Sequence, residues 1–401
     1  MTEITFSIYG DQASPLESPS FLLDEFKSRY RSAVNVERMT WEEAWPKLLG
    51  YAIYGGGPHI SQIGAIWTST LASMNVLRPF TPREIAYLGG IGAFYQPAWQ
   101  NAILTEQSKA WAIPFNTFTY LVLYRRDLLQ QAGVDEKTAF GSAEAMNRTL
   151  EQLRTSGVAS PLLLPSGKPF RARVHIMTSW VWGAGGDYVS DDGTHVLFNQ
   201  PEALAGINTF FDLYRYLSPG DYNLTYEECI QRFATGNTAV TIGGSSSRAT
   251  LKQWNNPNVL DNLGVAAMPG VPWVGGANLI IWKEAQMHPD KEKIAVSLAN
   301  FLVTSTAQVK CANAQNIIPA KTDALAQVQF ESPQFSPAIH QSLMNGRAYK
   351  PVPIWVRMLN EFRHVCDTIT ADILAKPAGD SYTIIADQFS PLAQRFSLML
   401  S

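Results

Sequence analysis

The sequence predicts an α/β protein built as two lobes, and three observations carry that prediction. At 401 residues, 46% hydrophobic and 16% charged, the chain is globular in composition and longer than one hydrophobic core usually organises. Strand-like runs alternate with segments of helical apolar spacing from the start. Stretches near 112–117, 268–277 and 318–321 join breakers or polar loops to buried-looking strands, as expected where a chain passes between lobes.

The opening reads as β-α-β. Residues 4–9 alternate apolar and polar, and Gly10-Asp11-Gln12 follows at a strand's carboxyl end, where open α/β sheets bind ligands. Pro19 with Leu22, Leu23, Phe26 and Tyr30 describes a helix lying on the sheet. After a strand at 34–39, Thr40 and Glu43 form a capping box for a helix with Ala44, Trp45 and Leu48 inward, ended by Gly55-Gly56-Gly57-Pro58. The strand at 59–66 brings Trp67 to the same edge as Asp11. That indole is either sheet-edge packing or a ligand platform, and the platform is the preferred reading.

Within 111–129, Pro114 stops what precedes it, and Phe115, Asn116 and Thr117 offer an aromatic face, an amide and a hydroxyl. Residues 120–124 then read as a strand covered on both faces, and Asp127 opens a short helix closed at Gly133. A crossing between lobes and an ordinary strand and helix within one domain fit this pattern equally. Ser142 caps a helix with Met146, Leu150 and Leu153 inward. From Trp180 to Asp187 two indoles, glycines and a carboxylate occur together, so Trp182 and Asp187 suit stacking and hydrogen bonding even as the segment ends a helix. Asp192-Gly193 predicts a tight hairpin, and Asn199 with Glu202 a helix cap.

A strand at 239–242 feeds Gly243-Gly244-Ser245-Ser246-Ser247, either a loop that holds an anion or sugar hydroxyls through backbone N–H groups or a bare turn. The loop 269–278, carrying Trp273, Gly276 and Asn278, leads into a buried strand and reads as a return crossing. Pro289 starts a helix, and Ser305 with Gln308 caps another. Trp355, Leu359, Phe362, Cys366, Ile369 and Ile373 form one helical stripe of core residues, although Trp355, following Pro351 and Pro353, can also point outward.

Composition excludes several classes. A net charge of -3 without a basic stripe gives no footing for nucleic acid. With 11 Trp, 15 Tyr and 19 Phe the chain is rich in aromatics, and many tryptophans sit beside Gly, Pro or Ser, which points to binding loops. Cys229, Cys311 and Cys366 are far apart, allow at most one bridge and imply no zinc site. No window reaches the roughly 20 apolar residues of a membrane span, and Met1 leads straight into a strand, so the expectation is a cytoplasmic chain or one already relieved of an export signal.

The stretches TWEEAWPKLL, SQIGAIWTSTLA, AWAIPFNTFTYLVLYRRDLLQQAGVD, VWGAGGDYVSDDGTHVLFNQPEALAGINTFFDLY, RFATGNTAVTIGGSSS, GGANLIIWKEAQMHPDKEKIAVSLANFLVTSTAQ and IIPAKTDA occur in an order that resembles the extracellular sugar-binding proteins of ABC importers. The group resembled is family 1 of the solute-binding proteins, which includes maltose-binding protein, and the likeness runs from about 4 to 396. It implies a type II periplasmic-binding-protein fold, with a hinge and a ligand cleft between the lobes. Lobe 1 would take 1–113 and 277–319, lobe 2 114–276 and 320–401. The ligand positions it implies are Asp11, Gln12, Trp67, Asn116, Thr117, Trp182, Asp187, Gly244, Ser245, Trp273, Gly276, Asn278 and Trp355.

The physics of such a site is simple: indoles stack on a sugar's C–H face while carboxylates, amides and hydroxyls bond its rim. The resemblance implies a sugar ligand, delivery to ABC permease membrane subunits, an extracellular or periplasmic location with a lipid-anchored precursor as one form, a monomer, and no cofactor or metal. The rival classes are a receptor for a polyamine or other small polar solute, and a carbohydrate-active enzyme. Against an enzyme, Ser247 spoils a G-x-S-x-G motif at Ser245, Pro169 spoils a phosphate loop after Gly167-Lys168, and the six histidines show no metal spacing. Asp11 and Asp187 are the carboxylates a glycosidase would use.

Overall fold

The computed structural model describes residues 2–10, 20–104, 107–167, 172–330, 333–375 and 380–400; Asp11, Gln12 and Pro19 lie outside them. The chain divides into two units, Met1–Phe118 with Gly275–Gln329 and Ala348–Val356, and Thr119–Val274 with Phe330–Arg347 and Arg357–Ser401. These divisions differ from those read in the sequence, and hydrogen bonding explains the difference. Asn116 and Thr117, read in the sequence as part of lobe 2, pair antiparallel with Pro319 and Ile318, which keeps 114–118 with the first unit. Segment 348–356 joins that unit too, since Ser69 Oγ donates to the Val352 carbonyl at 2.9 Å and Thr70 Oγ1 to that of Pro353 at 2.6 Å.

In the first unit the β-α-β start is present. The strand Glu3–Tyr9 lies parallel between Ala33–Met39 and Ile60–Gly64, and the strand Val274–Trp282 runs antiparallel beside Ile60–Gly64. Leu22, Leu23 and Phe26 are buried on the helix Ser20–Tyr30, and Phe26 packs 5.6 Å from Phe301 of the helix Pro289–Leu302. The Thr40/Glu43 capping box opens the helix Trp41–Tyr54, and Gly55 and Gly56, at φ 71° and 72°, end it. The cap expected at Ser305 falls one residue earlier: Thr304 Oγ1 accepts from Ala307 N at 3.3 Å. Gln308 is thereby released for another task. Its buried amide donates to the Phe115 carbonyl at 2.8 Å and accepts from Lys321 N at 3.0 Å, stapling two segments together.

In the second unit the last part of the strand Ile113–Arg125 pairs antiparallel with Val240–Gly244 and with Leu263–Ala267, and Leu162–Leu163 lies parallel to Val240–Gly244. The expected polar loop at Phe115, Asn116 and Thr117 is instead part of that strand, whose 13 residues run without interruption. The Asp192-Gly193 hairpin forms with a Val189–Val196 bridge. Helix Pro201–Phe211 begins after Gln200 with no side-chain cap, so the Asn199/Glu202 cap does not form. Leu359, Phe362, Cys366 and Ile369 are buried as expected, and Phe362 meets Phe198 and Phe389 at 4.8 and 5.6 Å.

Candidate functional site

The candidate residues of the first unit fall into two groups. Asn116, Thr117, Gly276 and Asn278 are tied into backbone and buried amide contacts. Asn116 Oδ1 accepts from Ala277 N at 3.0 Å, and Thr117 Oγ1 reaches the Ile318 and Pro319 carbonyls at 3.4 and 3.3 Å. Gly276, at φ 140°, brings two backbones so close that a Cβ would lie 2.1 Å from the Asn116 carbonyl oxygen. Asn278 is buried and its Nδ2 donates to Thr68 Oγ1 at 3.0 Å and to the Asn101 carbonyl at 3.1 Å.

The second group is aromatic. The strand Ile60–Gly64 ends in a 3-10 turn, and the missing Cβ of Gly64 would stand 3.2 Å from the Trp67 indole, which folds back over the strand end. Trp67 is buried, with ring centroids at 5.6 Å from Tyr9, 5.8 Å from Trp41 and 5.6 Å from Trp45. Trp41 is 40% exposed and packs 4.2 Å from Tyr9, so the open face of this cluster belongs to Trp41. Burial raises the Tyr9 phenol far above its ordinary pKa and keeps it a neutral hydroxyl. Trp355 is buried as well. Its ring lies 4.2 Å from Tyr349, and its Nε1 donates to the Lys350 carbonyl.

In the second unit Trp182 and Asp187 are partners. Trp182 Nε1 donates to Asp187 Oδ1 at 3.0 Å, as does Tyr188 N at 2.8 Å, while Asp187 Oδ2 accepts from Arg347 Nη2 at 2.8 Å. The Arg347 guanidinium lies over the Trp182 ring, 4.8 Å from its centroid. Arg347 also holds the Trp273 loop, since its N–H donates to the Pro272 carbonyl at 2.9 Å and its carbonyl accepts from Val274 N at 2.8 Å. Trp273 stacks 4.2 Å from His175 at 16° and 5.9 Å from Tyr120 at 29°. One residue therefore joins a carboxylate and indole pair to an aromatic stack.

His175 is neutral in this stack: burial, reinforced by the positive charge of Arg363, pushes its pKa down to about 3. The Gly244 N–H donates to the Tyr226 hydroxyl, Ser245 N donates to the Thr119 carbonyl at 3.2 Å, and Tyr226 stands edge-on 6.5 Å from Tyr120. All three cysteines are free and buried, with thiol pKa values pushed up to about 12. Among the described residues no group of three or more His, Cys, Asp and Glu could hold a metal, and no helix is long and apolar enough to cross a membrane.

Sequence reasoning missed Tyr9, Trp41, Tyr120, His175, Tyr226 and Arg347. Tyr9 and Trp41 carried a readable signal, one closing a strand and the other following the Thr40 cap, at the carboxyl edge where open α/β sheets generally bind ligands. Arg347 carried none, because its importance comes from segments 160 residues or so away along the chain.

Comparison with known proteins defines the class first. The chain matches the sugar-binding protein MalE of Xanthomonas citri with a TM-score of 0.82 at 19% identity, over 100% of this chain and 97% of that one. It matches an ABC transporter solute-binding protein of Thermotoga lettingae, bound with α-D-tagatose, with a TM-score of 0.76 at 20% identity over 100% of both chains. The fold is that of the two-lobe periplasmic sugar-binding proteins. The model of the bacterial extracellular solute-binding protein family matches residues 22–337, and the chain belongs to that family. The sn-glycerol-3-phosphate-binding periplasmic protein UgpB of Salmonella typhimurium is 23% identical over 251 residues, 56% of this chain and 53% of UgpB. The chain thus spans about half the length of the curated relatives it matches.

Proposed function

We propose that this protein is the solute-capturing component of an ABC importer, that its solute is a sugar or sugar alcohol, and that it hands this solute to membrane-embedded permease subunits from outside the cytoplasmic membrane. The observation that carries the reading is the assembly around Arg347, where the buried Trp182, Trp273 and Tyr120 rings are gathered within one hydrogen-bonded frame that also holds the Asp187 carboxylate, so that a solute would meet only their edges or would have to part the stack. A polyhydroxyl ring needs that combination, a flat apolar surface for its C–H groups and fixed acceptors for its hydroxyls. Trp41, backed by the buried Trp67, is proposed as a second aromatic surface in the first unit. The ligands held by similar proteins, tagatose in that of Thermotoga lettingae and ribitol in a solute-binding protein of Agrobacterium radiobacter, support the solute class, and the phosphate ester in the name of UgpB marks a charged alternative. The reading assigns no catalytic step, and Asp187 serves as a hydrogen-bond acceptor.

Substitution tests the assignment. Trp182→Ala and Trp273→Ala should each weaken binding of the preferred sugar by about one to two orders of magnitude, the loss of one aromatic face, with the variants checked for folding by circular dichroism. Sugar affinities unchanged in both folded variants would remove this assembly from the site.

A further inference from the structure

We infer that Tyr9 and Trp41 of the first unit grip one polyhydroxyl group of the solute together, the Trp41 indole taking its C–H face and the Tyr9 hydroxyl bonding one of its hydroxyls. The inference rests on the solute-capture reading and deepens it with a residue that sequence reasoning passed over.

The sheet places the pair. Three neighbouring parallel strands end together, with Glu3–Tyr9 between Ala33–Met39 and Ile60–Gly64. The chain leaves the middle strand for Ala33–Met39 and then crosses back to Ile60–Gly64, so the strand order reverses at Glu3–Tyr9. Open α/β sheets bind ligands outside the carboxyl ends of the strands at such a reversal. Tyr9 is the last residue of the middle strand, Trp41 opens the helix that follows Ala33–Met39, and Trp67 follows Ile60–Gly64.

The three rings have different parts. Trp67 is buried behind the other two, whereas Trp41 keeps an open face and packs 4.2 Å from Tyr9. The Tyr9 hydroxyl is the unusual group. Tyr9 is only 5% exposed, and buried polar groups are nearly always hydrogen-bonded. Among the described residues this hydroxyl has no such partner, and burial alone accounts for its raised pKa. Nor is it a sealed, unpartnered atom like Trp111 Nε1 of the same core cluster, so it retains a path to the surface. A phenol held neutral in this way can donate to a solute hydroxyl or accept from one. Left unpaired it weakens the empty protein, and a solute hydroxyl removes that penalty on binding.

The test is isothermal titration of the intact chain with glucose, maltose, tagatose and ribitol, and with monodeoxy forms of the tightest binder among them. Tyr9→Phe should weaken that binder by about tenfold, and Trp41→Ala by a similar factor. Toward one monodeoxy form Tyr9→Phe and the unsubstituted protein should bind alike, because the hydroxyl that Tyr9 meets is gone. Without solute, Tyr9→Phe should melt no lower than the unsubstituted protein, as an unpartnered hydroxyl gives the fold nothing. Unchanged sugar affinities in Tyr9→Phe or in Trp41→Ala overturn the inference and leave solute capture standing. A lowered melting temperature of unliganded Tyr9→Phe, or its failure to fold, also overturns it, since the hydroxyl would then serve the fold. Binding of none of the probes by the unsubstituted protein overturns both readings.

Discussion

At Gly276 a single hydrogen atom in place of a side chain decides whether two strands can meet. The backbone adopts φ 140°, and a Cβ would lie 2.1 Å from the Asn116 carbonyl oxygen and 2.8 Å from the Thr117 Cα. Neither obstacle is a flexible side-chain end, so the clash cannot be relieved cheaply. Gly276→Ala should therefore destabilise the protein by more than about 2 kcal/mol, since the strain of the backbone adds to the overlap. Urea denaturation checks this, and a midpoint equal to that of the unsubstituted protein would contradict it. The same scale shows what a residue list drawn from sequence leaves open. Asn278 and Gln308 are both buried amides; the first ties Thr68 to the Asn101 carbonyl, and the second ties the Phe115 carbonyl to Lys321. Nothing in the local sequence distinguishes an amide that holds the fold from one that greets a solute. The difference lies in partners far away along the chain.

At the scale of elements, local chemistry was readable where the deciding contacts are local. The Thr40/Glu43 box, the Ser142 cap and the Asp192-Gly193 turn are satisfied within a few residues, and each was legible. The strand Ile113–Arg125 shows the limit: its first half reads as a polar loop, yet pairing with Ile318 and Pro319 makes it strand. The Tyr120, Trp273 and His175 stack was equally hidden, because it gathers rings from three separate segments. It makes a pH prediction. His175 has a folded pKa of about 3, below the ordinary 6.5, so the unfolded chain binds the extra proton first. Its contribution is complete above pH 6.5 and falls as the pH drops from there toward 3. The melting temperature should decline over that range, and His175→Gln should flatten part of the decline. Superimposable pH profiles for the two proteins would show that His175 is not held neutral by the fold.

For the whole molecule, the fold was legible and the site only in part. Length, β-α-β order and family motifs suffice for the class, since burial patterns of strands and helices repeat along the sequence. The proposed site is organised by a few long-range contacts, of which the Asp187–Arg347 pair and the Tyr226–Gly244 hydrogen bond are the clearest. A solute that binds only the native chain must stabilise the chain as a unit, by about 2.7 kcal/mol when present at 100 times its Kd. The most direct measurement of the central claim is a thermal-unfolding titration with neutral mono-, di- and trisaccharides and sugar alcohols, with polyamines and amino acids as controls and tryptophan fluorescence followed in parallel. A saturable rise in Tm with a sugar or sugar alcohol, accompanied by a tryptophan signal of the same midpoint, is the predicted result. Stabilisation by a polyamine or an amino acid alone would contradict it.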